Sequence, residues 1–579
     1  LKSTQHFWYV VPMDPVYAKD FYVPDPRGGQ AGDRVVIRFT QWENRHVNPE
    51  GEVLEVLGPA DDPSLDTLAA MRHYGLPDAF PEAVLREAET VSARMDHPGK
   101  REDCRKTPIL TIDPARARDY DDALSLETTN DGKRVLGIHI ADVSHFVGKG
   151  SVLDEEARRR GNSVYMPDSV IPMLPEQLSN GVCSLKPETD RLAFSVFITF
   201  NANGSVTDRR FARTRIRSRC RLVYEEVMDI LDGKKAAGRP LASGEPKDAV
   251  LTEEIIDLLE NLHALAQQLR KRRFARNAMA LDVPESEIAI DRGGHITEIR
   301  PVENDPSHQL IEECMVAANE AVAAGLHNGS FPSISRLHEP PDELKIEDLT
   351  ADLEAMGYSP GDLRHPRNLA SFLRSVEGDP LEYHVRVAVL RSMKRAVYSA
   401  DARGHFGLAK AFYTHFTSPI RRYCDLVVHR QLASLLTSGR TAYRKPELQE
   451  IAWNCSECEE NAEMAERQVV EIKKMRFLLA QIENDEPRVY DAVVVKVMNF
   501  GMFVDLPAIQ VSGLVHISSI SDRFVRHSRQ DRSLRAGSKV YRMGDQLKVF
   551  PTAVDIDARR IDFGLAKPTG RKRKPAHNQ

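Results

Sequence analysis

Four carboxylates crowd one short stretch, Ile109 to Leu126, which reads ILTIDPARARDYDDALSL and holds Asp113, Asp119, Asp121 and Asp122. So close together they repel one another, and either some take up protons or a cation neutralises them. Carboxylate oxygens are hard ligands that suit Mg²⁺ or Mn²⁺, and Mg²⁺ is commonly shared between protein carboxylates and substrate phosphates. Two such ions would clamp the attacking and leaving oxygens of a phosphodiester. The alternatives are a solvated acidic loop or a Ca²⁺ loop. An EF-hand places Gly after its third acidic ligand and Glu at its end; here Ala123 follows Asp122, which excludes that loop.

Two strands must hold these groups. Ile109-Leu110-Thr111-Ile112 reads as a buried strand ending at Asp113-Pro114, and Ala123-Leu124-Ser125-Leu126 as the strand returning from the loop. These flanks fix the aspartates at the rim of a core. A second element supplies a cation. In Tyr413-Thr414-His415-Phe416-Thr417-Ser418-Pro419-Ile420-Arg421-Arg422-Tyr423, Ser418 is a good N-cap and Pro419 a good first helical residue, with Leu426, Val427 and Leu432 continuing the pattern. The expectation is a helix from Ser418 with Arg421 in its first turn, where unpaired N–H groups attract phosphate and the guanidinium adds a bidentate contact. The competing assignment pairs Arg421 or Arg422 with Asp425.

The chain of 579 residues is long enough for three or four domains, and 41% hydrophobic residues exclude a disordered chain. No apolar run is long enough to span a bilayer, and residues 1 onward do not read as a secretory signal peptide. The chain begins at Leu1 and not at Met, so a missing N-terminal part is expected. The seven cysteines are scattered, and the one C-x-x-C, Cys455 and Cys458, reads as a helix face, so reduced thiols and a cytoplasmic location are expected. Net charge is −6, but basic residues cluster at Arg158-Arg159-Arg160, at Arg270 to Arg273 and in the tail. Arg213, Arg215, Arg217, Arg219 and Arg221 follow period two, which on one strand gives a single charged face. Such a face is either a solvated edge or a surface for a polyanion.

Short aromatic and β-branched runs separated by turn residues occupy 1–58, a small barrel pattern in which Phe7, Trp8, Tyr9 and Phe21 either stack bases or fill the core. Residues 59–108 read as a helical linker, 109–486 as one large mixed α/β domain, 487–566 as a second small barrel, and 567–579 as a basic disordered tail. No glycine-rich nucleotide loop occurs.

The stretch T-I-D-P-x-x-A-R-D-x-D-D-A resembles the active-site signature of the ribonuclease II/ribonuclease R exoribonucleases, whose catalytic region is the RNB domain. Further stretches carry the resemblance: Arg160 to Pro167, Leu310 to Asn319, Ser335 to Pro340, Gly404 to Ala409 with Tyr413 to Tyr423, and Met464 to Arg467. The first barrel resembles a cold-shock domain. Phe500 to Val504 and Gly513 to Ser518 resemble an S1 domain. The resemblance implies a multidomain α+β protein in which small OB-fold barrels flank a mixed α/β RNB domain. It implies a processive 3′-to-5′ hydrolytic exoribonuclease that releases nucleoside 5′-monophosphates by a two-metal mechanism with Mg²⁺, or Mn²⁺ in its place, structured RNA included. The expected partner is single-stranded RNA with a free 3′ end, the expected state a monomer away from membranes, and no protein partner is identified. Asp113 and Asp122 would hold the metals, with Asp119 and Asp121 completing the site or Asp121 orienting the water or leaving oxygen. Arg421 would hold the scissile phosphate, with Arg422 the second candidate. Tyr165 would stack on a base near the 3′ end, Glu466 would lie near the site, and Phe500, Phe503 and His516 would stack bases in the S1 barrel. The Leu310 to Asn319 helix is given no chemistry. Leu281 stands where the family often has a base-clamping aromatic. The competing functions are an RNA-binding scaffold with a dead catalytic domain and a different metal-dependent phosphoesterase or endonuclease; the four intact aspartates favour the enzyme over the scaffold.

Overall fold

The computed structural model describes residues 1–566 except 14–16, 18, 97–98, 282, 284, 303, 522–523 and 529–531, so the basic tail at 567–579 lies outside the described residues. The acidic stretch belongs to a seven-stranded sheet with strand order Cys220–Val223, Leu110–Asp113, Asp122–Thr128, Arg134–Ala141, Asp190–Phe200, Val206–Arg217, Glu102–Asp103. The outermost pair at each edge is parallel and the strands between are antiparallel. Leu110-Thr111-Ile112 is buried on both faces, as a continuous apolar run requires when helices cover the sheet. Leu110 pairs with Leu124 and Asp122 with Ile140. Asp113 therefore ends one strand and Asp122 begins its neighbour, at the same end of the sheet. Beneath them Ile109, Leu110, Ile138 and Phe194 join one large core with the helices Glu253–Ala275, Pro306–Asn328 and Tyr423–Thr437.

The arginine row does not form one face. Arg213, Arg215 and Arg217 lie on Val206–Arg217, near one edge of the sheet, whereas Arg221 lies on Cys220–Val223 at the other. Each has a partner inside the protein: Arg213 is 3.4 Å from Asp142, Arg215 and Arg217 are each 2.7 Å from Asp190, and Arg219 donates to Lys106 O at 3.1 Å. These internal ion pairs and hydrogen bonds replace the single charged face on which both alternatives, a solvated edge and a surface for a polyanion, rest. Other expected clusters are paired as well: Arg273 lies 2.7 Å from Glu312 and 2.6 Å from Glu313, and Arg160 is buried 2.8 Å from Glu156.

The helix expected from Ser418 begins later, at Tyr423. Asp425, in its first turn, reaches back to accept the Ser418 N–H at 2.8 Å, and the Ile420 N–H donates to Asp121 at 3.0 Å. With these N–H groups held by buried carboxylates, 418–422 closes as a turn, the Arg422 N–H donating to Ser418 O at 2.9 Å. Arg421 thus stands on the turn ahead of the helix and not in its first turn.

At the N-terminus five strands form a sheet in the order Lys2–Ser3, Trp8–Val10, Phe21–Val23, Glu50–Pro59, Asp33–Gln41, over a small core of Leu1, Val10, Val23 and Val53. The helices Asp66–His73 and Glu82–Ser92 follow. At the C-terminus Tyr490–Met498, Gly501–Leu506, Val511–His516, Arg560–Leu565 and Gln546–Asp555 close a barrel. The helix Lys445–Glu483 touches the helix Asp66–His73, the hairpin strand Val164–Tyr165 and the barrel strand Gln546–Asp555. Cys455 and Cys458 lie on this helix with free thiols. Among the described residues no helix is long and apolar enough to cross a membrane.

Candidate active site

The loop between Asp113 and Asp122 is anchored from within. Tyr120 is buried; its N–H donates to Ser184 Oγ at 3.0 Å and its hydroxyl to Glu245 at 3.1 Å. Arg221 lies 4.8 Å over the Tyr120 ring and donates to Pro114 O at 2.6 Å and Ala115 O at 3.1 Å. With Tyr120 turned inward, its neighbours Asp119 and Asp121 turn the other way. All four aspartates line one cavity of about 460 Å³, together with Tyr165 and Arg421.

The electrostatics of this cavity are unbalanced. Burial and the nearby Asp122 charge push the Asp113 carboxyl well above the usual range. Burial does the same to Asp121 even though Arg421 and the Ile420 N–H oppose it. Burial pushes Asp122 up to about 6. Among the described residues, Asp113 Oδ2 and Asp122 Oδ2 are buried oxygens without a hydrogen-bond partner, a costly arrangement that marks a position for a ligand. Their hardness and charge fit Mg²⁺ or Mn²⁺. The carboxylates ring the cavity and do not close on a point. Among the described residues the one set of three His, Cys, Asp or Glu donors within 4.8 Å of one another is His415, Cys424 and Asp425. That set already has its cation, since Arg422 lies 2.8 Å from Asp425. An open ring suits an ion that takes further oxygens from water and phosphate.

Arg421 is positioned through its backbone. The Ser163 N–H donates to Arg421 O and the Tyr423 N–H to Gly161 O, each at 2.9 Å. This pairing joins the turn carrying Arg421 to the chain leading into the hairpin Val164–Tyr165/Val170–Ile171. The Arg421 side chain is exposed, with Nε 3.9 Å from Asp121 Oδ2, so most of its donors face the cavity. Tyr165 is 39% exposed and its hydroxyl donates to Asp119 at 3.2 Å, which leaves its ring at the cavity wall.

Other expected positions are committed internally or fall elsewhere. Arg422 also lines the cavity, but its guanidinium is paired with Asp425, so the expectation of a substrate contact gives way to an internal ion pair. Glu466 lies on the exposed face of the Lys445–Glu483 helix and is not part of the cavity wall. In the C-terminal barrel Phe500 is exposed, its ring 6.2 Å from that of Phe503. His516 sits at the same end, since Gly501 pairs with His516 and the Ile517 N–H donates to Phe500 O at 2.9 Å; its Nδ1 also accepts the Ser518 N–H at 3.3 Å. In the N-terminal sheet Phe7 is exposed near Tyr9 and Tyr22, whereas Trp8 and Phe21 pack on the small core. Leu281 packs on a separate core with Met279 and Leu353.

Sequence reasoning missed part of the wall. Glu312, Met315 and Asn319 of the Pro306–Asn328 helix, Tyr224, and the segment with Tyr413, His415 and Thr417 all line the cavity. The signal was present for the helix: residues 312, 315 and 319 repeat at three and four, so a polar pair shares one face with an apolar residue.

Comparison with known proteins places these features in context. The family profile of the RNB domain matches residues 101–438, that of the cold shock domain 9–81 and that of the S1 RNA binding domain 486–566. Ribonuclease R of Thermotoga maritima is 40% identical to this chain, over 97% of it and 79% of the relative. The structure of Mycoplasma genitalium ribonuclease R with ribose-methylated single-stranded RNA superposes with a TM-score of 0.84 at 26% identity, covering 96% of this chain and 89% of that one. The same protein with double-stranded RNA superposes at 0.83 and 25% identity, covering 97% and 95%.

Proposed function

Because the chain belongs to the ribonuclease R family of RNB exoribonucleases, we propose that the cavity ringed by Asp113, Asp119, Asp121 and Asp122 is where it hydrolyses RNA from the 3′ end, structured RNA included. The observation that carries this assignment is the pair of buried, unpartnered carboxylate oxygens facing Arg421 and Tyr165 across one cavity.

Asp113 and Asp122 are the residues that would hold divalent ions, through their unpartnered oxygens. Bound Mg²⁺ or Mn²⁺ supplies polarisation of the phosphate and a nucleophilic water near neutral pH. Asp121, held by the Ile420 N–H, orients the attacking water. Arg421 faces the phosphate and offsets the charge that grows on it as the bond to the departing 3′-oxygen breaks. Tyr165, tied to Asp119 through its hydroxyl, offers its ring to the terminal base. The products are a nucleoside 5′-monophosphate and an RNA one residue shorter.

The test uses 5′-labelled RNA with a free or a blocked 3′ end, in Mg²⁺ or in EDTA. Stepwise shortening with mononucleotide release is expected only for the free end in Mg²⁺. Asp121→Asn is expected to slow turnover by at least about 10²-fold while RNA binding stays near wild type. Internal cutting of blocked RNA would make the protein an endonuclease, and a gel shift without mononucleotide release would make it a binding scaffold.

A further inference from the structure

The extended segment from Tyr413 to Thr417 alternates between core and cavity. Thr414 Oγ1 donates to Ile334 O at 2.5 Å and Phe416 is fully buried, whereas Tyr413, His415 and Thr417 line the cavity. The middle residue is set in a particular way. His415 Nδ1 lies 2.8 Å from the hydroxyl of Tyr398, a residue that is itself 5% exposed. Among the described residues that nitrogen is the hydroxyl's one hydrogen-bond partner. If Nδ1–H donated to the phenol oxygen, the buried phenol hydrogen would have no acceptor, which a buried donor avoids. The bond therefore runs from Tyr398 O–H to Nδ1, and the proton of the neutral ring sits on Nε2. Burial, with Arg422, Arg336 and Arg421 nearby, holds the imidazole well below its usual titration range, so it stays neutral. Among the described residues Nε2 carries no hydrogen bond, and it is open to the cavity.

Resting on the RNA-hydrolysing reading of this cavity, we propose that His415 is a substrate-contacting residue whose Nε2–H donates to a non-bridging phosphate oxygen of the RNA backbone. A phosphate is the fitting acceptor for two reasons. Of the two guanidinium groups in the wall, Arg422 is taken up by Asp425, so donors to backbone oxygens beyond Arg421 must be neutral. A phosphate oxygen also recurs at every nucleotide, whereas base-edge acceptors change with sequence and would stall a strand-consuming enzyme.

The test compares wild type, His415→Phe and His415→Gln on oligoribonucleotides carrying one methylphosphonate, a linkage with one oxygen replaced by methyl, at successive positions from the 3′ end. His415→Phe is expected to raise KM roughly 10- to 100-fold with a smaller fall in kcat, and His415→Gln, which keeps an N–H, to recover most of the loss. One methylphosphonate position is expected to weaken binding to wild type and to lose that effect in His415→Phe. Wild-type KM in His415→Phe, or an unchanged penalty at every position, overturns the proposal. Tyr398→Phe, which frees Nδ1 and leaves the ring in place, gives the same reading should the Phe variant fold poorly: a smaller KM rise is expected, and no change counts against the contact. Equilibrium binding of the same oligonucleotides in the Asp121→Asn background reads the contact without turnover. A wild type that binds these RNAs but never shortens them would sink the proposed function and leave the contact to be judged by binding alone.

Discussion

Single carboxylates at the cavity pull stability and function in opposite directions. Asp122 is held charged at neutral pH in a place where burial favours its neutral form. Its folded-state pKa, about 6, lies above the usual carboxylate value. Its contribution to folding is therefore full below the unfolded-state pKa and is lost as pH rises through about 6. In ion-free protein Asp122→Asn should therefore raise stability at pH 7.5 by about 1–2 kcal/mol, and the gain should shrink towards pH 5. Denaturant midpoints at the two pH values check this. Wild type should gain stability from added Mg²⁺ and the variant should gain far less; equal gains would remove Asp122 from the ion site. The types and spacing of the aspartates were legible in the sequence because strand ends are signalled locally, by the apolar run and the Asp113-Pro114 break. The fate of the arginines was not. Period two on paper assigned five of them to one face, but the chain leaves the strand after Arg217 and rejoins the sheet at its other edge, where Arg221 braces the acidic loop.

Among elements, the close approach between the Lys445–Glu483 helix and the end of Val152–Arg160 decides where Arg421 stands. Gly161 follows Val152–Arg160 with φ of +70°, and a Cβ there would sit 2.4 Å from Cys458 Cβ on the long helix. The same glycine accepts the Tyr423 N–H that seats the turn carrying Arg421. Gly161→Ala should cost about 1–3 kcal/mol through left-handed strain and the clash and should lower kcat by moving Arg421. Adding Cys458→Gly should recover the part due to the clash. A variant with unchanged kcat and melting temperature would show that this junction is not constraining. The late start of the Tyr423–Thr437 helix belongs to the same scale. Ser-Pro is a sound local start signal, but two carboxylates distant in sequence or in the next turn, Asp121 and Asp425, hold the N–H groups and override it. No local pattern carries that information, since one of the carboxylates stands 299 residues earlier in the chain.

Across the molecule, one buried carboxylate ties three parts together. Asp66, on the helix after the N-terminal sheet, lies 2.8 Å from Arg34 of that sheet and 3.0 Å and 3.5 Å from Arg476 and Lys473 of the long helix. Lys473 is fully buried and also donates to Pro63 O and Gly294 O. Asp66→Ala would leave these cations without their counter-charge, and a loss of about 3–5 kcal/mol is expected, with faster proteolysis between the N-terminal sheet and the rest. Unchanged protease resistance would mean that the sheet is held by other contacts. The order of domains along the chain was readable because each barrel has its own strand and turn rhythm; how they are fastened was not, because Asp66, Arg34 and Lys473 are ordinary charged residues until folding brings them together. The fastening has a consequence of its own. The Lys445–Glu483 helix is 39 residues, about 58 Å, of continuous rod. Because this one rod touches the helix behind the N-terminal sheet, the strand of Tyr165 and a strand of the C-terminal barrel, the spacing of those surfaces is fixed, and a strand reaching from the barrel to the cavity would have a minimum length set by the scaffold and not by its base sequence.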